Sequence, residues 1–171
     1  AASHGRVFIV EVMGHKVGWL TLYAGISGGA DIILLPEIPY DINVVCDAIT
    51  KRSKAGKRFS ILAVAEGAIS KEDAGMTKKE LKEKKKNGVV YPSVAYEIGA
   101  RIQEVTGSEV RVTVPGHMQR GGEPCPYDRV LATRLGAAAA RLIADEEYGY
   151  MVALKNNEIT KVPLSEVAGK L

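Results

Sequence analysis

The stretch Val7-Phe8-Ile9-Val10-Glu11-Val12-Met13-Gly14-His15 decides the architecture. Its first six residues are apolar, with β-branched side chains, apart from Glu11, and a run that continuous belongs to a strand buried on both faces rather than one with a wet side. The strand stops at Met13-Gly14-His15. Beyond it, Lys16 to Ser27 carries Trp19, Leu20, Tyr23, Ala24 and Ile26 at helical spacing, with Gly28-Gly29 as a stop. Ile32 to Leu35 reads as a second buried strand ended by Pro36. Asp41 is a cap for a helix from Ile42 to about Ala55, closed by Gly56, and Phe59 to Ala65 is a third strand ended by Glu66-Gly67.

The remainder repeats the alternation. Residues 71–87 are rich in Lys and Glu and read as a solvated helix or flap. Pro92 opens an amphipathic helix through Val94, Ile98, Ile102 and Val105, closed by Gly107; Val110 to Val114 is a fourth strand. Tyr127 to about Glu146 is a long alanine-rich helix, and Tyr150–Leu154 pairs with Glu158–Val162 around Asn156-Asn157 as a hairpin. Strands alternating with helices of about a dozen residues predict an α/β fold: a largely parallel, Rossmann-like three-layer sheet covered by helices, with a small C-terminal hairpin. We divide it into residues 1–126, a ligand-binding domain, and 127–171, a helix and hairpin.

Composition narrows the function. A net charge of +3 is too mild for a nucleic-acid surface, and no apolar run reaches the roughly 18 residues of a membrane span. Cys46 and Cys125 match neither a zinc site nor a disulfide framework, so reduced thiols and a cytoplasmic location are expected. Ala1-Ala2-Ser3-His4-Gly5 lacks an initiator methionine and runs at once into a buried-looking strand, from which we expect a piece of a longer protein. A dinucleotide-binding domain is disfavoured because no G-x-G-x-x-G succeeds the first strand.

In open parallel sheets ligands bind outside the carboxyl ends of the strands, so the residues just beyond each strand carry the functional signal. Three ends are unusual: Met13-Gly14-His15, Glu66-Gly67, and Pro115-Gly116-His117-Met118-Gln119-Arg120-Gly121-Gly122. Neighbouring strands would bring them to one site suited to a sugar phosphate. Glycine admits the backbone close to a ligand, a carboxylate takes two hydroxyls, and arginine forks match phosphate oxygens, each charge-assisted bond contributing about 1.5–3 kcal/mol. Singly each residue has a plainer role: Glu66 as a helix cap, His117 as a core histidine, Arg111 as an edge-strand charge, Arg6 as a surface residue.

Taken together, Arg6 with V-E-V-M-G at 10–14, G-G-A-D-I-I-L-L-P-E at 28–37, A-E-G-A at 65–68, and R-V-T-V-P-G-H-M-Q-R-G-G at 111–122 with Asp128-Arg129 beyond it resemble the phosphofructokinase family, ATP- and pyrophosphate-dependent members alike, over roughly residues 3–145. The resemblance implies the fructose 6-phosphate-binding half of the enzyme. Met13 and Gly14 would lie along the sugar, Glu66 would take its hydroxyls, and His117 and Arg120 would reach the phosphate and the reacting end. Arg6 and Arg111 would enter a neighbouring subunit's site and clamp its 6-phosphate, implying a homo-oligomer, dimer or tetramer. His15 stands where the family usually has arginine, and an imidazole supplies fewer donors and less charge than a guanidinium. Gly29, Asp31, Lys57 and Arg58 match the family's effector pocket, although Ala55 nearby offers no charge.

The glycine-rich donor loop and the T-I-D-N-D-type segment bearing the catalytic base have no counterpart here. The resemblance therefore implies that ATP or pyrophosphate, Mg2+ and the base are held by an N-terminal half outside this chain, on which residues 127–171 would pack, and that the piece alone is inactive. It also implies glycolytic phosphoryl transfer to the sugar 1-hydroxyl in the intact enzyme. The run at 13–19 with P-E-I-P-Y-D-I at 36–42 looks more like the longer mixed-donor branch than the short allosteric bacterial enzymes. The competing reading is a stand-alone sugar-phosphate sensing module.

Overall fold

Strand β1 (Val7–Val12) lies in the interior of a four-stranded sheet in a computed structural model that describes residues 6–170. The opening Ala1–Gly5, on which the expectation of a piece rested, lies outside the described residues. The element order is β1, α1 (Trp19–Ser27), β2 (Ile32–Leu34), α2 (Ile42–Lys54), β3 (Ser60–Ala65), α3 (Lys71–Ala74), α4 (Lys78–Asn87), α5 (Val94–Thr106) and β4 (Val110–Thr113), then a 3-10 turn at Gly116–Arg120. The sheet order is β2-β3-β1-β4, and every pairing is parallel. This is the parallel α/β sheet expected from the alternation of strands and helices.

The period of two along each strand assigns the faces. Leu34, Leu62 and Val64 join Val45 and Ile49 of α2 and Ile98 and Ile102 of α5 in one buried cluster. Ile33 and Ala63, one residue out of step, turn to the other face, where α1 lies over them. Ile9, Leu62, Ile98 and Ile102 are wholly buried, each worth about 1.5–3 kcal/mol relative to exposure.

Helix α1 differs from the sequence reading in two ways. It begins at Trp19 rather than Lys16, because the Val17 N–H turns back to the Gly14 carbonyl and the Gly18 N–H is taken by Glu37 at 2.7 Å. Its buried side is Thr21 and Gly25, whereas Trp19, Leu20, Tyr23 and Ile26 are exposed. The close seat on Ile33 explains this: a Cβ on Gly25 would meet the Ile33 side chain at 2.7 Å, so the helix approaches the sheet through its smallest residue.

The lysine-rich stretch forms α3 and α4, each opened by a hydroxyl cap. Thr77 and Glu80 make a reciprocal capping box, a pattern readable in T-K-K-E at 77–80. Residues from Gly121 onward form a second unit. It contains α6 (Pro126–Ala144), the antiparallel pair β5 (Tyr150–Lys155) and β6 (Glu158–Pro163), and α7 (Leu164–Val167). The hairpin turns on Asn156 and Asn157, both with positive φ, as a two-residue turn of that handedness requires; Arg134 of α6 donates to the Asn157 carbonyl at 2.7 Å.

Candidate functional site

Because β3, β1 and β4 are adjacent and parallel, their carboxyl ends open side by side. The chain leaving β3 begins with Glu66, whose backbone N–H donates to the Val12 carbonyl at 3.0 Å and so continues the ladder one residue past the strands. Its side chain then reaches across to the turn that leaves β1. Oε1 accepts the His15 N–H at 2.6 Å and the Gly14 N–H at 3.2 Å, while Oε2 accepts no hydrogen bond among the described residues.

These N–H groups, His15 first and Gly14 second, hold the Glu66 carboxyl below its ordinary range, with further help from the charges of His15 and Arg120. Glu66 is therefore a fixed, exposed anion with one oxygen committed to the protein and the other without a protein partner among the described residues. The turn it grips is tightly wound. His15 sits at φ 55, a conformation uncommon for a residue with a Cβ, and a Cβ on Gly14 would lie 2.5 Å from the Val17 carbonyl oxygen.

The third strand end is tied into the same place. Gln119, in the 3-10 turn after β4, accepts the Met13 N–H on Oε1 at 3.2 Å. Its Nε2 is buried without a partner among the described residues, leaving a donor beside the Met13-Gly14 turn. His117 and Arg120 stand exposed on that same 3-10 turn. Met13, Gly14, His15, Glu66 and Gln119 are thus tied together, and Arg120, whose charge acts on Glu66, follows Gln119 on the turn that also carries His117. Next to Glu66 lies a cavity of about 490 Å3, lined among others by Gly67, Tyr40, Tyr91, Ser93 and Glu97. Burial, and after it the charges of Glu97 and Asp73, pushes the Tyr40 hydroxyl up to about 12.

Arg6 and Arg111 are not part of this cluster. Arg6 precedes β1, and Arg111 stands near the start of β4 opposite Phe8. The seven residue steps from Arg6 through β1 to Met13, rising roughly 3.3 Å each, put about 23 Å between Arg6 and the Met13-Gly14 turn, more than a hexose phosphate spans. The two arginines meet each other instead, on Glu109: Arg6 Nε contacts Oε2 at 2.5 Å and Arg111 Nη2 contacts Oε1 at 2.5 Å.

Gly29, Asp31, Lys57 and Arg58 line one further cavity of about 510 Å3 with Arg52, Gly56 and Phe59. Asp31 is already engaged there, pairing with Arg52 at 2.6 Å and accepting the Ile61 N–H at 2.9 Å. Sequence reasoning passed over Arg52, Gln119 and Glu109. Arg52 had a signal in the basic last turn of α2, and Glu109 had one in its spacing two residues before Arg111, which puts both side chains on one side of an extended chain. Gln119 stood inside the motif at 111–122 without a chemical role.

Among the described residues no three His, Cys, Asp or Glu side chains gather as a metal site. No helix among them is long and apolar enough to cross a membrane. Cys46 is buried, which pushes its thiol up, and Cys125 is exposed; neither is in a disulfide.

A clamped carboxylate, glycine turns and an arginine at the ends of adjacent parallel strands give this α/β protein a cluster whose chemistry suits a small polar ligand. The family profile described as Phosphofructokinase matches residues 1–143. The chain is 55% identical over its full length to an ATP-dependent 6-phosphofructokinase of Spirochaeta thermophila and 46% identical to ATP-dependent 6-phosphofructokinase 3 of Bacteroides thetaiotaomicron, covering 46% of each. The structure of phosphofructokinase from Saccharomyces cerevisiae superposes with a TM-score of 0.79 at 35% identity, over 97% of this chain and 20% of that one. The chain belongs to the phosphofructokinase family. It spans about half the length of the curated relatives it matches.

Proposed function

We propose that this chain is the fructose 6-phosphate-binding part of a 6-phosphofructokinase, which in its intact form moves a phosphoryl group from ATP or pyrophosphate to the sugar 1-hydroxyl in glycolysis. The observation that carries the reading is the Glu66 clamp. One carboxylate oxygen is fixed by the Gly14 and His15 N–H groups and the other is left for ligand hydroxyls, within reach of the Arg120 charge. Met13 and Gly14 line the sugar, Glu66 accepts its hydroxyls, and His117 and Arg120 supply donors toward phosphate and the reacting end. His15 adds its ring where the family usually has arginine.

Arg6 and Arg111 serve the 6-phosphate of a neighbouring subunit, so the enzyme is a homo-oligomer whose site is completed across an interface. Their separation from Glu66 along β1 supports this reading, since one ligand cannot touch both ends. The donor, Mg2+ and the catalytic base belong to sequence beyond this chain. Among the described residues no three His, Cys, Asp or Glu side chains gather to hold the ion. The names of these relatives favour ATP as the donor. By itself the chain binds sugar phosphate and does not turn it over; the location is the cytoplasm. The cavity at Gly29, Asp31, Lys57 and Arg58 is the candidate effector pocket, with Arg52 supplying charge that Ala55 does not.

Calorimetry on the full-length gene product tests the reading, with fructose 6-phosphate as ligand and fructose as control. Binding of the phosphate ester but not the free sugar is expected, with Arg120→Ala and Glu66→Ala each weakening it at least tenfold. Near-normal binding by both variants rules the site out.

A further inference from the structure

Two guanidinium groups do not share a corner of a protein unless something holds them there, and here the holder is one carboxylate. Glu109 precedes β4, and its carbonyl accepts the Val7 N–H at 3.0 Å. That ladder bond sets Arg6 beside Glu109, while the extended chain puts Arg111 two residues further on the same side. Each carboxylate oxygen then takes one arginine, Oε2 from Arg6 Nε and Oε1 from Arg111 Nη2.

The bonding pattern distinguishes a holder from a competitor. Arg6 commits only Nε and Arg111 only one terminal nitrogen. The remaining N–H groups of both have no protein partner among the described residues. An anion placed between the arginines would thus find donors on both without displacing Glu109. The carboxylate also cancels one of two like charges, so the pair can stand close before any ligand arrives. Arg6 is the less exposed of the two, at 27% against 58% for Arg111, so it is the better-ordered half of the clamp. The two arginines together hold the Glu109 carboxyl below its ordinary range, Arg6 the more strongly.

We infer that Glu109 is a positioning residue that fixes Arg6 and Arg111 as a preformed clamp for the phosphate of a sugar phosphate, bound on the face of the chain opposite the Glu66 turn. This rests on the assignment of the two arginines to a phosphate under the proposed function. A preformed clamp raises affinity by removing the cost of ordering two long side chains, so its loss is read in binding rather than in the chemical step.

The test uses steady-state kinetics of the full-length enzyme with Glu109→Ala, Glu109→Gln, Arg6→Ala and Arg111→Ala, alongside melting curves. Glu109→Ala is expected to raise KM for fructose 6-phosphate about tenfold with kcat within about twofold. Glu109→Gln keeps an acceptor without the charge and is expected to raise it about threefold. If both arginine variants raise KM while both Glu109 variants leave it unchanged, this inference fails and the site assignment stands. A fall in KM in either Glu109 variant overturns it in the other direction, making the carboxylate a rival of the phosphate. If the arginine variants also leave KM unchanged, the assignment of the two arginines fails first. Should Glu109→Ala melt below the assay temperature, Glu109→Gln decides alone.

Discussion

No side chain can be added at Gly67 without striking His15: an ideal Cβ there lies 2.0 Å from the His15 carbonyl oxygen. The main chain leaving β3 and the main chain leaving β1 are therefore in contact at the point where Glu66 grips the Gly14 and His15 N–H groups. Relief requires moving backbone, since the obstructing atom is not the end of a flexible side chain. Gly67→Ala is expected to lower unfolding free energy by about 1–3 kcal/mol, as overpacking does, and to weaken fructose 6-phosphate binding at least tenfold. Urea titration and calorimetry on the same preparation measure the two effects; an alanine variant with unchanged binding would separate the clamp from the ligand.

The lowered Glu66 carboxyl gives a pH signature. A group whose folded pKa is depressed contributes fully above its unfolded value and loses that contribution as pH falls through the folded one. Glu66-dependent binding should hold through the ordinary carboxylate range and fail only below it. The ratio of wild-type to Glu66→Gln affinity, measured by calorimetry as pH is lowered, cancels the titration of the ligand phosphate. A ratio that collapses within the ordinary carboxylate range argues that the N–H donors do not hold the charge.

Glu11 supports the site from beneath. It is buried within β1, and its Oε2 accepts the Ala95 N–H at the first turn of α5 at 3.0 Å, where the Ser93 hydroxyl makes no cap. Removing the acceptor leaves that N–H unpaired in the interior, so Glu11→Ala should cost about 1–3 kcal/mol. Glu11→Gln, which keeps an oxygen in place, should cost less. Equal urea midpoints for the two variants would mean that the helix end finds another partner.

Tyr40 reports on the cavity beside Glu66. With its folded pKa raised from 10.0 to about 12, the unfolded chain releases this proton first as pH rises. Stability should be indifferent to Tyr40 below pH 10 and fall between 10 and 12. Tyr40→Phe should flatten that fall, so the wild-type urea midpoint relative to the variant's is independent of pH below 10 and drops between 10 and 12. Parallel curves across the window would show the hydroxyl to be freely solvated.

Legibility in the sequence was a matter of range. The strands were readable because continuous apolar runs such as Val7–Val12 and Ser60–Ala65 carry their own burial signal, and the hairpin because Asn156-Asn157 tolerates positive φ. The convergence of Glu66 with Gly14 and His15 came from parallel strand order. The ties that escaped have partners distant in sequence: Glu37 on Gly18, Gln119 on Met13, and Glu109 beneath Arg6. Spacing to these partners carries no local pattern: the Gln119 and Glu109 ties depend on how β1 lies against β4, and the Glu37 tie on how the chain after β2 meets the start of α1. The apolar stripe of α1 marks a helix without marking its buried side, for a related reason. Its periodicity was genuine, yet the tight seat of Gly25 on Ile33 decided which side faced the sheet.

The placement of β1 has a further consequence for how the chain is made. Its two neighbours, β3 and β4, begin about fifty and about a hundred residues downstream, so no local contact can complete the sheet. At a synthesis rate of about 5–20 residues per second, the first strand waits roughly 5–20 s for its last partner. For the first half of that interval both edges of this apolar strand are open to any other nascent chain, and for the second half the β4 edge still is. High contact order of this kind means slow refolding in vitro, and it makes yield depend on dilution and on chaperones rather than on final stability.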